Sequence, residues 1–287
     1  MAIAWHVSDL HGHTNRYMKL WQRLRQTPPD VLLLGGDLLP GGSARHASLA
    51  PGHQDFIHDF LASGFAQARA KLGRRYPLVL GIMGNDDARF LEAALVSAGA
   101  GGLWTVLHQR KLEALGYTFY GYPFVNPTPF QLKDWERWDV SRFVDVGAVP
   151  PTAGMRTVPV DPRMVDWHTI ERDLAGLASQ DDLSRAVFLF HAPPYRSPFD
   201  CAPLDGQMID HAPLDVHVGS VAVARFIEQR QPHITLHGHV HESVRLTGQW
   251  HSVTGRTHSF CAAHDGPELA IVAFSLSSPD NATRELL

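Results

Sequence analysis

Five short apolar segments of this sequence each lead into residues that can bind a metal ion. The segments are Ile3–Val7 and residues 31–34, 78–83, 187–190 and 233–236. The residues that follow them are Asp9, His11, Asp37, Asn85, His191, His239 and His241. Carboxylate, amide and imidazole donors without a thiolate suit Mn, Fe, Zn, Co or Ni. Ligands of α/β folds gather at the carboxyl ends of strands, so the pattern predicts two metal sites there.

The order of these motifs resembles the signature of the calcineurin-like metallophosphoesterases, which reads D-x-H, G-D, G-N, H and G-H-x-H. The matching residues extend from Asp9 to His241, which is most of the chain. The short sequence segments at 126–130, 191–194 and 217–220 resemble those of a prokaryotic branch of predicted phosphoesterases. The resemblance implies hydrolysis of a P–O bond by two divalent transition-metal ions and a hydroxide that bridges them.

The resemblance also implies which side chains serve which ion. It assigns three residues to the first ion and three to the second, namely Asp9, His11 and His241, and then Asn85, His191 and His239. Asp37 is expected to bridge the two ions, because a shared carboxylate offsets part of the repulsion between neighbouring dications. His237 ends a strand and is interpreted as a structural residue.

Charge counting favours a phosphodiester substrate. Two dications bring four positive charges, and the two carboxylates with one hydroxide bring three negative charges. The remaining positive charge matches the single negative charge of a phosphodiester. Tyr195 and Arg196, in the loop after His191, are the predicted substrate contacts, and Arg196 could also balance a monoester dianion. A phosphomonoesterase, including a protein phosphatase, and a non-catalytic scaffold on the same fold stay open as alternatives.

The sequence departs from the family pattern at position 86, where relatives often carry histidine and this chain carries Asp86. In the family, that histidine protonates the leaving group or steadies the phosphoryl oxygens. A carboxyl group is almost fully ionised at pH 7, so Asp86 is a poor replacement acid and could instead bind a cation or contact the substrate. His13, two residues after His11, is the candidate replacement acid.

Alternating strands and helices are predicted to position these residues in the first half of the chain. Apolar periodicity predicts helices at 15–26, 54–72 and 89–97. Asn15 and Asp87 are the predicted N-caps of the first and third helices, and a Gly/Pro/Ser-rich loop is predicted at 40–52. Further strands are predicted at 104–107, 110–115, 117–122, 243–247, 249–253, 258–263 and 269–276. The resemblance implies an α/β fold, a four-layer α/β/β/α sandwich with two central mixed sheets.

The Pro/Trp-rich stretch at about 123–167 does not fit this alternation. It is too long for a plain connection between two elements. Two interpretations stay open, a cap over the metal site and a packed surface excursion. Because the motifs are spread along the whole chain, residues 1–287 are predicted to form a single domain.

Charge, cysteine content and apolar runs indicate which cellular compartment and which classes of partner to expect. The formal charge is −4 and no dense Lys/Arg run occurs, which argues against nucleic-acid binding by phosphate neutralisation. The two cysteines indicate neither a disulfide framework nor a thiolate site. A strand predicted almost at Met1 leaves no room for a signal peptide, and no apolar run reaches the ~18 residues of a membrane span. We therefore expect a cytoplasmic protein with a small phosphoester as its partner, and the oligomeric state stays open.

Overall fold

The structure, a computed structural model, describes residues 1–41 and 55–287. Residues 42–52 of the predicted loop and residue 54 of the predicted helix lie outside these ranges. The strands are β1 (Ile3–Val7), β2 (Val31–Gly35), β3 (Leu78–Ile82), β4 (Thr105–Val106), β5 (Arg110–Ala114), β6 (Tyr117–Tyr122), β7 (Ala186–Phe190), β8 (Met208–Ile209), β9 (Ala212–Pro213), β10 (Ile234–His237), β11 (His251–Thr254), β12 (Thr257–Cys261), β13 (Ala270–Ser275) and β14 (Ser278–Leu286).

The α-helices are α1 (Thr14–Gln26), α2 (Ser63–Leu72), α3 (Glu92–Gly99), α4 (Pro162–Trp167), α5 (Ile170–Ala178), α6 (Val221–Arg230) and α7 (Ser243–Thr247). A π-helix at Phe56–Ala62 leads directly into α2, and single 3₁₀ turns occupy Gly73–Arg75 and Arg89–Leu91. Within the described part of the chain, no helix combines the length and the apolar character that a membrane crossing requires.

The strands form two six-stranded mixed sheets and one small hairpin. The first sheet has the order β14-β13-β1-β2-β3-β4. Strands β1 to β4 pair in parallel, and β13 pairs antiparallel with both β1 and β14. The second sheet has the order β11-β12-β10-β7-β6-β5, with a parallel centre and antiparallel edges. The hairpin pairs β8 with β9.

The central strands are almost wholly buried because both of their faces are covered. Leu33 of the first sheet and Leu189 and Leu236 of the second sheet pack between the two sheets. On the outer face of the second sheet, the Phe188 ring lies 4.9 Å from the ring of Phe226 in α6. Helices α1 and α2 cover the outer face of the first sheet with the same kind of apolar contact. The predicted α/β/β/α arrangement is therefore confirmed.

Near the C-terminus one predicted strand was wrong and one strand was missed. The predicted strand at 243–247 is the short helix α7, in which Val244 is buried and Leu246 is exposed. Gly248 has a left-handed φ of 72° and donates its backbone N–H to the Val244 carbonyl at 2.9 Å, which closes the helix. Strand β14 was not predicted, because its polar sequence carries little hydrophobic pattern and its position at a sheet edge is a tertiary property.

The predicted N-caps were also wrong. Helix α1 begins at Thr14, so its N-cap residue is His13 rather than Asn15. The Asp87 side chain does not cap α3. It accepts backbone N–H groups from Leu38 at 3.0 Å, Leu39 at 2.7 Å and Gly84 at 3.0 Å. Asp87 therefore joins the loops that follow β2 and β3 at the edge where the predicted ligands lie.

The stretch at 123–167 is anchored to the body of the fold by buried polar groups. The Trp135 indole donates Nε1–H to the Asp87 carbonyl at 2.8 Å. The Lys133 ammonium and the Glu136 carboxylate are fully buried and lie 2.6 Å apart. A buried ion pair needs such complete hydrogen bonding to offset its desolvation, and the Thr128 carbonyl supplies a further acceptor for Lys133. Whether the stretch acts as a cap stays a prediction, as does the single-domain assignment.

Candidate metal centre

The predicted metal ligands lie together at the carboxyl ends of β1, β2, β3, β7 and β10. Two sets of acidic and histidine side chains each bring their donor atoms within 4.8 Å of one another. The first set comprises Asp9, His11, Asp37 and His241, and the second comprises Asp37, His191 and His239. We call Asp9, His11 and His241 the outer group. We call Asn85, His191 and His239 the inner group.

Asp37 belongs to both sets and lies between the two groups. Its Oδ2 atom is 3.2 Å from His191 Nε2 and 3.8 Å from His11 Nε2. Its Oδ1 atom accepts the backbone N–H of Asp86 at 2.8 Å. The carboxylate is buried, so the backbone fixes one oxygen while the other faces both histidines.

Two imidazoles of the outer group converge on Asp9. His11 Nε2 lies 3.0 Å from His241 Nε2, and His241 Nε2 lies 3.4 Å from Asp9 Oδ1. The backbone N–H of His239 donates to Asp9 Oδ1 at 3.0 Å. On the other side of its ring, His11 Nδ1 is 3.2 Å from Asp86 Oδ2. A carboxylate in this position orients a metal-binding histidine and raises its basicity, a contact that the sequence analysis missed.

The inner group is built around the fully buried His191. His191 Nδ1 donates to the Gly35 carbonyl at 2.8 Å, which directs Nε2 towards the cluster. That Nε2 atom is 3.1 Å from Asn85 Oδ1. Gly36, with φ of 99°, lies against this ring, and a Cβ atom there would come within 2.6 Å of His191 Nδ1. The close approach of this histidine therefore requires a glycine at position 36.

Left-handed backbone conformations concentrate at the cluster. The φ angles are 58° at Asp9, 45° at His11, 50° at Asp37 and 75° at His239. Such conformations are uncommon outside glycine and cost about 1–3 kcal/mol each. The extended geometry of β1 therefore does not continue to His11. Backbone bonds from Asp9 to the Gly36 carbonyl and from His11 to the Asp37 carbonyl hold the turn.

The protonation pattern shows that the cluster favours positive charge between its carboxylates. Burial lowers the pKa of His191, but the charge and hydrogen bond of Asp37, together with Asp9 and the Gly35 carbonyl, raise that pKa to about 9. Burial also lowers the pKa of His11, but Asp86 and Asp37 raise it to about 9. Burial raises the pKa of Asp37, but His191 and His11 bring it down to about 2. Burial and the charge of His191 lower the pKa of His239 to about 3.

The donor set therefore fits divalent cations. Protons on two histidines supply the positive charge that the ionised carboxylates require, and a cation would supply the same charge at the same place. The oxygen and nitrogen donors, without a thiolate among the described ligands, match borderline transition metals.

Two cavities border the cluster, and both are lined in part by Glu242. The polar cavity, of about 520 Å³, is lined by His11 and His241 of the outer group and also by His13, Arg16 and His264. The apolar cavity, of about 350 Å³, reaches His239 of the inner group and is lined mainly by apolar side chains. Each group thus borders its own cavity.

Tyr195 and Arg196 are not brought into the cluster. The Tyr195 hydroxyl donates to Asp215 Oδ2 at 2.7 Å, and the Arg196 guanidinium lies 5.3 Å from the centre of the Tyr195 ring. Neither residue lines the polar or the apolar cavity, and their contact with substrate stays a prediction. His237 is fully buried and bonds the Ala192 carbonyl at 2.9 Å, in agreement with its interpretation as structural.

Comparison with known proteins gives a family and a fold. The family model described as calcineurin-like phosphoesterase matches residues 4–243. The crystal structure of TT1561 from Thermus thermophilus superposes with a TM-score of 0.54 at 15% identity, over 99% of this chain and 98% of that one. A dimetal phosphatase from Danio rerio superposes with a TM-score of 0.50 at 14% identity, over 94% of this chain and 92% of that one. No curated protein matches the sequence.

Proposed function

The chain belongs to the calcineurin-like phosphoesterase family, and we propose that it is a dinuclear-metal phosphoesterase that hydrolyses a P–O bond, with phosphodiesters as the favoured substrates. The observation that carries the proposal is the position of Asp37. One of its oxygens lies 3.2 Å from His191 and 3.8 Å from His11, which belong to different ligand groups. A carboxylate between two sets of donors is the arrangement that a two-metal site requires.

The outer and inner groups would each hold one divalent ion, and Asp37 would contact both. Asn85 would add an amide oxygen to the inner group, next to His191 Nε2. Mn, Fe, Zn, Co and Ni are the candidate metals, because the donors are imidazole and oxygen. When bound, two such ions supply Lewis acidity towards phosphoryl oxygens and activate water for attack on phosphorus.

The two cavities support a diester over a monoester. A phosphodiester has two organic substituents, and a cavity borders the cluster on the side of each ligand group. A monoester dianion would instead call for free basic side chains. Arg16, which lines the polar cavity, donates to the carbonyls of Asp9 at 2.6 Å and Gly266 at 2.5 Å. Its guanidinium is thus already engaged with the backbone.

His13 stays the candidate for protonating the leaving group, and Asp86 is better explained as the residue that orients His11. His13 lines the polar cavity beside His11 and His241. Burial and the charges of Arg16 and His11 lower the pKa of His13, which makes its protonated form scarcer at neutral pH. We therefore expect substrates with good leaving groups to be hydrolysed fastest.

The test is metal analysis of the purified protein followed by turnover assays with added Mn²⁺. We expect up to two transition-metal ions per chain and faster hydrolysis of bis(p-nitrophenyl) phosphate than of p-nitrophenyl phosphate. Faster turnover of the monoester would replace the proposal with a phosphomonoesterase. Absence of both metal binding and turnover, across the five candidate metals, would leave a non-catalytic scaffold.

A further inference from the structure

We propose that the apolar cavity beside His239 binds the organic group of the substrate, and that this group is apolar and carries no negative charge. The inference rests on the proposed function and narrows its substrate class. It excludes substrates with a second phosphate or a carboxylate next to the reacting ester, and it favours aryl or alkyl groups.

The cavity is formed by segments that are distant in sequence. Residues 126–130 and 145–148 of the 123–167 stretch form one wall, and residues 202–204 with the β8–β9 hairpin form the opposite wall. The two walls meet at Gly147, where a Cβ atom would come within 2.9 Å of the Ile209 side chain. The shape of the cavity therefore depends on the packing of this stretch against the hairpin.

Three large apolar side chains of these walls are exposed to solvent. The exposed fractions are 58% for Phe130, 46% for Val146 and 41% for Ile209. Scattered exposed apolar residues are ordinary, but a concave cluster of them marks a binding site. A bound apolar group would remove this surface from water.

The cavity reaches the proposed metal centre directly. His239, an inner-group residue, forms part of its lining together with Val240 and Glu242. A phosphoester whose phosphorus lies at the cluster could therefore extend one substituent into the cavity.

Charge decides which substituents the cavity accepts. Asp145, Asp215 and Glu242 line it, and no lysine or arginine is found among its described lining residues. An anionic substituent would lose water and face these like charges, and no cationic side chain of the described lining would offset them, which is a strong way to reject a ligand. A neutral or cationic group meets no such barrier.

His217 supplies an uncharged polar contact in the lining of this cavity when its ring is neutral. Its Nδ1 atom is 2.9 Å from Asp200 Oδ1, and the Asp200 carboxylate is buried. Its backbone N–H donates to Asp215 Oδ1 at 2.9 Å. Because Nδ1 donates to the Asp200 carboxylate, Nε2 of the neutral ring is the acceptor left for the O–H group of a bound alcohol.

The experiment measures binding of 2-naphthol and 2-naphthoate to the full chain by calorimetry, before and after removal of metal with a chelator. We expect 2-naphthol to bind both with and without metal. We expect 2-naphthoate to bind at least about tenfold more weakly, because repulsion between like charges at a binding site commonly costs at least this much affinity. Equal affinities for the two probes would overturn the proposal.

Two matched variants locate the binding. Phe130→Ala should weaken 2-naphthol binding by about 2- to 12-fold, the range that one aromatic–aromatic contact represents. Phe90→Ala is the control, because Phe90 is 60% exposed and lies outside the cavity lining, and it should leave binding unchanged. Equal losses in both variants would contradict the assigned site.

A positive charge introduced into the cavity wall tests whether the acidic lining excludes anions. Ile209→Arg places a cation on the wall and should raise the affinity for 2-naphthoate while lowering that for 2-naphthol. Failure of 2-naphthoate to gain affinity would refute the electrostatic explanation. Because these probes contain no phosphorus, their binding can fail while diester hydrolysis succeeds, and the reverse, so the two proposals are tested separately.

Discussion

The outer and inner ligand groups share Asp37 but are built in different ways. In the inner group, His191 is fully buried and a backbone carbonyl, that of Gly35, orients its ring. In the outer group, the side chains of His11 and His241 are 16% and 34% exposed, and a partly exposed side chain, that of Asp86, orients His11.

The backbone therefore positions the key histidine of the inner group, whereas a partly exposed side chain positions that of the outer group. Backbone in a sheet interior has few alternative positions, but an exposed carboxylate has several rotamers. We therefore expect the inner metal to be held more tightly and the outer metal to exchange more easily.

The largest expected effect comes from removing the residue that the two groups share. Asp37→Ala should cost about 10³-fold or more in kcat, because two metals contribute several kcal/mol to the transition state. Asp9→Ala should cost less, since it affects the outer group alone. Metal content and turnover of bis(p-nitrophenyl) phosphate measure both variants. Equal losses at all metal concentrations would argue against Asp37 as the bridge.

The next largest expected effect is on the stability of the metal-free protein, which should fall more for a variant of the inner group than for one of the outer group. His191→Ala leaves the buried Asp37 carboxylate without its 3.2 Å partner, and loss of one member of a buried ion pair costs about 3–5 kcal/mol. His241→Ala should lower the free energy of unfolding by less, because His241 is partly exposed. Urea denaturation after chelation gives both values, and a larger loss for His241→Ala would reverse the comparison.

Asp86→Asn should weaken metal binding in the outer group alone. Partners that orient a ligating histidine typically contribute about 10- to 100-fold to metal affinity or activity. Asparagine keeps the size of the side chain while removing the charge beside His11 Nδ1. A calorimetric titration with Mn²⁺ should show one weakened phase and one unchanged phase. Two equally weakened phases would mean that Asp86 does not act through His11.

The smallest effect is a difference in pH dependence. Metal binding requires neutral imidazole. The inner group has His191, with a pKa raised to about 9, and His239, whose pKa of about 3 leaves it already neutral at pH 7. In the outer group, the pKa of His11 is about 9, and although burial lowers the pKa of His241, Asp9 outweighs burial and raises it.

Between pH 6 and 8 the two histidines with a pKa of about 9 keep their protons in the metal-free protein, so each metal ion must displace a proton and a rise in pH should strengthen binding in both groups. We expect about tenfold per pH unit for each proton displaced, and therefore a steeper slope for the outer group. Mn²⁺ titrations at several pH values measure both slopes. The steeper phase should be the one that Asp86→Asn weakens, and a steeper inner phase would contradict this assignment.

The sequence by itself determined the order of the predicted ligands and the class of fold. Each ligand directly follows a buried apolar run, and the carboxyl ends of parallel strands lie at one edge of a sheet. Asp37 follows β2 of the first sheet and His191 follows β7 of the second sheet, so the family resemblance was needed to place these two residues together before the structure was known. The alternation of strands and helices in the first half of the chain followed from hydrophobic periodicity.

Local details were harder to predict because distant residues decide them. Asp87 looks like a helix cap in its own neighbourhood, yet it bonds the backbone of Leu38 and Leu39. The predicted strand at 243–247 is a helix that ends at the left-handed Gly248. Alternation over five residues does not distinguish these outcomes.

Only the tertiary structure decided the contacts that distinguish this protein from its family pattern. Asp86 meets His11 across 75 residues of sequence, and no local pattern encodes such a meeting. The apolar cavity likewise exists only where the 123–167 stretch packs against the β8–β9 hairpin. The physical reason is that strand position follows from local hydrophobicity, whereas side-chain contacts between loops depend on the assembled backbone.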